Sequence, residues 1–328
     1  MVPLIELHAH LEGTITPAVC RELAAKNKIE LPSNLFRDEH TYYWKDFDDC
    51  VTRVYDTIAG TVRTPEDYYK ITYDYLSNLA GQRCVYSELI ISPDHAREVG
   101  LSYSEMLSGI VAAIDNVRKV YQIDCRLNAT LVRHLGIEQC QRTAQEVVDN
   151  PHSYVVGFDL AGAEAPGDMD QYLFLLKLLR GAGYQIKPHA GETPGSECNI
   201  RTAVEEIGCW RIGHGIQAMK DASLLALLKE EEVLLEISPL SNYFAGIIPE
   251  GEPHPIRALY DMGIRVCLNS DDPGLFGTSI YMETQVAMKD QKFTLEDIKQ
   301  MNLWAAEASF APRETKARLI KEISSYEI

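Results

Sequence analysis

IELHAHLEG, residues 5–13, is a short apolar run that ends in two histidines one residue apart. Read as an extended strand, its alternation puts His8 and His10 on one face and Ile5, Leu7, Ala9 and Leu11 on the other. Two imidazoles side by side on a strand can grip one metal ion. Taken alone the pair reads equally well as two polar residues near a strand end, so the rest of the chain has to decide.

Working outward, seven more apolar, mostly β-branched runs follow: CVYSELII from 84, CRLNATLV from 125, YVVGFDL from 154, YQIKPHA from 184, RIGH from 211, VLLEIS from 233 and RVCLNS from 265. Segments of helical periodicity separate them, the alternation expected of parallel βαβ units. Eight such units close a barrel. The expected fold is therefore α/β, a single (β/α)8 TIM barrel domain over residues 1–328. Helix starts are legible in Thr16 before Pro17, in Thr64 before Pro65, and in Ser102 with Glu105. Two departures from a plain barrel are expected. The first connection, from about 14 to 83, is long and carries YYWKDFDDCVTRVYDTIAG, suited to a lid over the barrel mouth. The tail from about 278 reads as extra helices that clad the barrel.

Composition narrows the function. The 328 residues carry 31 Lys+Arg against 48 Asp+Glu, a formal charge of -17 that repels phosphate backbones and anionic lipid heads. A small-molecule partner is expected, with neither nucleic acid nor membrane. The eight cysteines form no CxxC pair and read as buried thiols of a reducing compartment. The first apolar run is short and carries Glu6, unlike a signal peptide or anchor, and a cytoplasmic protein is expected.

The unusual residues fall where a barrel builds its active site, at the C-terminal ends of strands. His8 and His10 end the first run, His189 and Glu192 (HAGE) the fifth, His214 (GHG) the sixth, and Asp271 and Asp272 (SDDP) the eighth. Three histidines, His8, His10 and His189, with one aspartate form a borderline-soft donor set best suited to zinc, ahead of iron, cobalt or nickel. Glu192 is near enough to give or take a proton. Gly213 and Gly215 leave room for close backbone or substrate approach beside His214, which standing alone would read as a core histidine.

HAHLEG, DLAGAE (159–164), HAGE (189–192), RIGHG (211–215), SPLSN (238–242) and NSDDP (269–273) together resemble the ordered motif set of the adenosine deaminase family, within the amidohydrolase superfamily. The resemblance spans nearly the whole chain. It implies a zinc-dependent barrel that hydrolyses the exocyclic amine of adenine nucleosides to release ammonia. By that likeness His8, His10, His189 and Asp271 hold one zinc, and Glu192, His214 and Asp271 are catalytic. Glu192 protonates a purine nitrogen, while His214 and Asp271 act on the attacking hydroxide. Substrate contacts fall to His10, Glu12 (facing the sugar), Gly162 and Asp272. The lysine of two-metal relatives has no counterpart in Asp159–Gly162, and the PCxxC element of cytidine-type deaminases is absent.

Three positions depart from the pattern: Glu12 stands where many members have aspartate, Ala163 where many have a second acid, and Ser238 where cysteine is common. Gly213 and the DLAG string favour a nucleoside over the free base in this likeness. The expected substrate is thus adenosine or deoxyadenosine. The alternatives are another adenine compound (free adenine, an N6-substituted AMP or an aminofutalosine-type intermediate) and, with catalysis lost, a nucleoside-binding barrel.

Overall fold

The computed structural model describes residues 2–249 and 251–328. Nine parallel strands, β1 (Leu4–His10), β2 (Cys84–Ile91), β3 (Asp124–Val132), β4 (Val155–Ala161), β5 (Gln185–Ile186), β6 (His189–Ala190), β7 (Arg211–His214), β8 (Leu234–Ile237) and β9 (Arg265–Leu268), run in chain order through two sheets, β1 to β5 and β6 to β9. The ring closes where His10 N donates to Asp271 O at 2.9 Å and Asp271 N to His8 O at 3.0 Å. This is a (β/α)8 TIM barrel.

The fifth run departs from expectation by splitting into β5 and β6. Pro188 has no N–H to give the ladder, and the strand breaks around it. The Asp159 carboxylate takes up the slack, accepting from His189 N at 3.2 Å. Arg133 ties the gap from the other side, donating to Leu160 O at 2.9 Å and His189 O at 2.6 Å. β1 also departs from simple alternation: its register shifts between Glu6 and Ala9, and Leu7 N donates to the Asn269 side chain at 2.9 Å.

The helix caps are those expected. Thr16 accepts from Val19 N, and Thr64 with Asp67 and Ser102 with Glu105 close capping boxes. The long first connection contains short helical turns at Phe47–Asp49, Cys50–Val54 and Tyr55–Ala59, which lie over the barrel mouth. The last two helices, Leu295–Ala308 and Arg313–Ser324, cover the opposite end. There Ala305, Leu319 and Ile323 pack with Ile5, Leu7, Tyr86 and Leu234, and Asn302 Oδ1 accepts from Ile5 N at 2.7 Å. Seven cysteines are buried, as expected, but Cys198 is exposed; all eight are free thiols. Among the described residues no helix is long and apolar enough to cross a membrane.

Candidate active site

The strand ends bring His8, His10, His189, His214 and Asp271 together. His8 Nε2 lies 3.0 Å and His10 Nε2 3.2 Å from His189 Nε2, and each of those two nitrogens is 3.4 Å from Asp271 Oδ1. With metal–nitrogen bonds of about 2.0–2.1 Å, neighbouring ligands of a tetrahedral zinc sit about 3.3 Å apart, close to these spacings. The tautomers agree. His8 gives Nδ1–H to Glu236 Oε2 at 3.0 Å, and His189 gives Nδ1–H to Asp159 Oδ1 at 3.0 Å. Two lone pairs therefore face each other across 3.0 Å, an arrangement that repels unless a cation lies between them. His8, His10, His189 and Asp271 fit a metal ion on that ground. His8, His189, His214 and Asp271 also lie mutually within 4.8 Å.

Glu236 and Asp159 are held in turn by Lys187 Nζ, 3.1 Å from Glu236 and 3.5 Å from Asp159, and Arg211 donates Nε to Glu236 at 2.6 Å. Burial is outweighed at Asp159 by His189 and then Lys187, and at Glu236 by Arg211 and then Lys187, so both carboxyls are held below the usual range. These supporting residues are hard to read from sequence because buried charges inside strands look like interruptions of an apolar run, although DLAG contains Asp159 and RIGHG contains Arg211.

Gly213 has a different purpose from the one expected. A Cβ there would lie 2.7 Å from His8 Cε1 and 3.3 Å from His189 Cα, so the glycine admits the His8 ring and the close backbone, not substrate. His214 and Asp271 both have left-handed backbones, φ 62° and 60°, a strain of about 1–3 kcal/mol each that a packed surround must offset.

A cavity opens above this centre. It is lined by His10, His189 and Asp271, by Gly162, Glu192, His214 and Asp272, and by the apolar Phe47, Val51, Tyr55 and Phe276. Gly162 is at φ 94°, and a Cβ there would lie 2.7 Å from the His134 ring, so only glycine lets the chain pass. Burial, with the Asp271 charge next, pushes the carboxyls of Glu192 and Asp272 well above their ordinary range. Burial is opposed at Asp271 by His10 and His8, which hold it ionised, and burial lowers His214 to about 4. The site thus sets two carboxyls that resist ionisation beside one that favours it. Glu164 fixes the loop that carries Glu192, accepting from Gly191 N at 2.8 Å and Glu192 N at 2.9 Å.

Glu12 does not join the wall. Its carboxylate is buried behind Tyr55, 3.4 Å from the Tyr55 hydroxyl, 3.5 Å from that of Tyr68 and 3.4 Å from Ser92 N. His95 and His134 also line the cavity; they follow the ends of β2 and β3 by four and two residues, so the strand-end pattern that selects Glu192 and Asp272 could have found them.

Residues 3–326 match the family model described as adenosine deaminase. An adenine deaminase of Sinorhizobium fredii is 38% identical over 315 residues, covering 96% of each chain. The crystal structure of an adenine deaminase from Arthrobacter aurescens superposes with a TM-score of 0.90 at 25% identity, covering 99% of this chain and 98% of that one. A zinc-bound amidohydrolase from Burkholderia ambifaria shares the fold, with a TM-score of 0.87 at 23% identity over 98% of this chain and 91% of its own. With its barrel, its strand-end histidines and a match across nearly its whole length, the chain belongs to the adenosine deaminase family and is a hydrolytic deaminase acting on C–N bonds.

Proposed function

We propose that this enzyme hydrolyses free adenine to hypoxanthine and ammonia. The observation that carries the choice of substrate is Glu12. The acid expected to face a sugar is buried behind Tyr55 and off the cavity wall, so no carboxylate remains there for ribose hydroxyls. The two features that favoured a nucleoside lose their weight. Gly213 is required by the His8 ring and Asp159 of DLAG by His189, whatever the substrate. The name adenine deaminase on relatives up to 38% identical supports the same reading.

His8, His10, His189 and Asp271 would hold one zinc ion, and the zinc found in a protein of the same fold supports that identity. Its chemistry is Lewis acidity, which makes hydroxide available near neutral pH. The chain's own residues do the rest. Asp271, ionised, takes the proton of the attacking water. Glu192, protonated, delivers a proton to N1 as oxygen adds to C6, so that negative charge never accumulates on the ring. Asp271 then passes its proton to the exocyclic nitrogen, which leaves as ammonia as the C6–N bond breaks, while the added oxygen gives up its remaining proton to Glu192 and becomes the carbonyl. His214 hydrogen-bonds the incoming oxygen. Asp272, also protonated, donates to a second ring nitrogen and the backbone at Gly162 holds a third, while Phe47, Val51 and Phe276 exclude water.

Purified, zinc-loaded protein assayed for ammonia release tests the reading. Adenine should exceed adenosine, deoxyadenosine, AMP and N6-methyl-AMP in kcat/KM by about a hundredfold or more, the discrimination a filled pocket gives against added bulk. Turnover of adenosine as fast as adenine overturns it.

A further inference from the structure

Behind His214 lies a line of hydrogen bonds that starts from the backbone. Ile256 N donates to His254 Nδ1 at 3.2 Å, His254 Nε2 meets Asn242 Oδ1 at 3.1 Å, and Asn242 Nδ2 meets His214 Nδ1 at 3.3 Å. All three side chains are buried. A backbone N–H can only donate, so His254 Nδ1 must accept and its proton sits on Nε2. That N–H needs an acceptor, so the amide oxygen of Asn242 faces His254 and its NH2 faces His214. His214 Nδ1 then accepts, and the His214 proton is left on Nε2. The direction is set at Ile256 and would be the same whichever way the amide had been built.

We infer that Asn242 and His254 are positioning residues that lock His214 as the Nε2–H tautomer, a hydrogen-bond donor into the cavity. Nε2 lies 3.6 Å from Glu192 Oε1 and 3.8 Å from Asp271 Oδ2, too far to bond either, so its proton points into the gap between Glu192 and Asp271. An oxygen entering that gap would be met by a donor. A nitrogen that carries a proton cannot ligate, and this separates His214 from the other histidines of the cluster. His10 therefore completes the metal set although His214 is close enough to compete. The left-handed backbone of His214 is consistent with a ring held in one orientation by the partner at its back.

The inference rests on the site being that of a purine deaminase, but its main test needs no substrate. In zinc-loaded protein labelled with 15N-histidine, with the His214 signals assigned by their loss in His214→Asn, the shifts and couplings should show Nε2 protonated and Nδ1 bare. Nδ1 protonated overturns the proposal, and this measurement stands even if the Asn242 and His254 variants fail to fold. In variants the order is distinctive. Asn242→Asp offers His214 only acceptors, draws the proton to Nδ1, and should lower kcat by up to about 10⁴-fold, as a wrong histidine tautomer does elsewhere, with KM, zinc content and Tm little altered. Asn242→Ala, which imposes no tautomer, should lose less. His254→Gln can accept from Ile256 N and donate to Asn242, and should recover most of what His254→Phe loses. A purely structural role predicts instead that Asn242→Asp is no worse than Asn242→Ala and that activity follows Tm.

Discussion

His8 and His189 turn their Nε2 atoms toward each other at 3.0 Å while each hands its Nδ1 proton to a buried carboxylate, Glu236 and Asp159. The carboxylates set the tautomer and make the imidazoles better donors. Glu236→Gln and Asp159→Asn should each weaken metal affinity about 10–100-fold, read by chelator competition. Loss of affinity no greater than that from an exposed control, Glu322→Gln, would remove the orienting role.

Metal removal should also destabilise the protein. Without a cation the lone pairs of His8 and His189 repel, and a ligand that binds only the folded state adds about 4 kcal/mol when present at a thousand times its Kd. Stripped protein should melt several degrees lower than zinc-loaded protein by calorimetry. Equal melting temperatures would mean that the cluster does not take the ion.

Gly213 is the position where one methyl group reaches the metal cluster. A Cβ would sit 2.7 Å from His8 Cε1 and 3.3 Å from His189 Cα, and the His8 ring, pinned by Glu236, has nowhere to swing. Gly213→Ala should cost about 1–3 kcal/mol of stability by overpacking and displace His8 enough to lower zinc content. Wild-type zinc content and Tm would show that the ring yields freely.

The barrel and its catalytic end were legible because parallel strands buried on both faces repeat the same apolar signal, and because histidines at strand ends have no packing reason to be there. What escaped was whatever depends on contacts across the barrel. Pro188 was visible but not its break in the fifth strand, since only the Asp159 and Arg133 side chains show how the gap is bridged. Glu236, Lys187 and Arg211 are far apart in sequence and meet only inside the closed ring. Glu12 illustrates the limit best. Its place in HAHLEG suggests a side chain facing the site, but whether it reaches the cavity depends on Tyr55, 43 positions away.

Tyr55 accordingly controls what can lie beside His10. Its ring lines the cavity 6.1 Å from the His10 ring and its hydroxyl bonds Glu12. Tyr55→Ala should open that side, expose Glu12 and raise adenosine relative to adenine in kcat/KM about tenfold, the effect of roughly 1.4 kcal/mol. Tyr55→Phe keeps the ring and should move the ratio little. If neither variant alters the ratio, sugar exclusion lies elsewhere in the lid.

The pH profile tests the proton donor. Burial, then the charge of Asp271, raises the Glu192 carboxyl well above an ordinary glutamate, and Glu164 and Asp272 add to the effect. If Glu192 must deliver a proton, kcat/KM is full while it is protonated and falls as pH rises through its pKa, which makes Glu192 the source of the alkaline limb. Glu192→Gln should lose about 10²–10⁴-fold in kcat and keep its zinc. Asp272 loses its own proton as pH rises, and the charge it then carries holds the proton on Glu192; Asp272→Asn removes that charge, so Glu192 ionises more readily and the alkaline limb should move to lower pH. That shift is separate from any loss in height caused by weaker binding. An alkaline limb that stays in place in Asp272→Asn, or persists unchanged in the residual activity of Glu192→Gln, would assign it to another group.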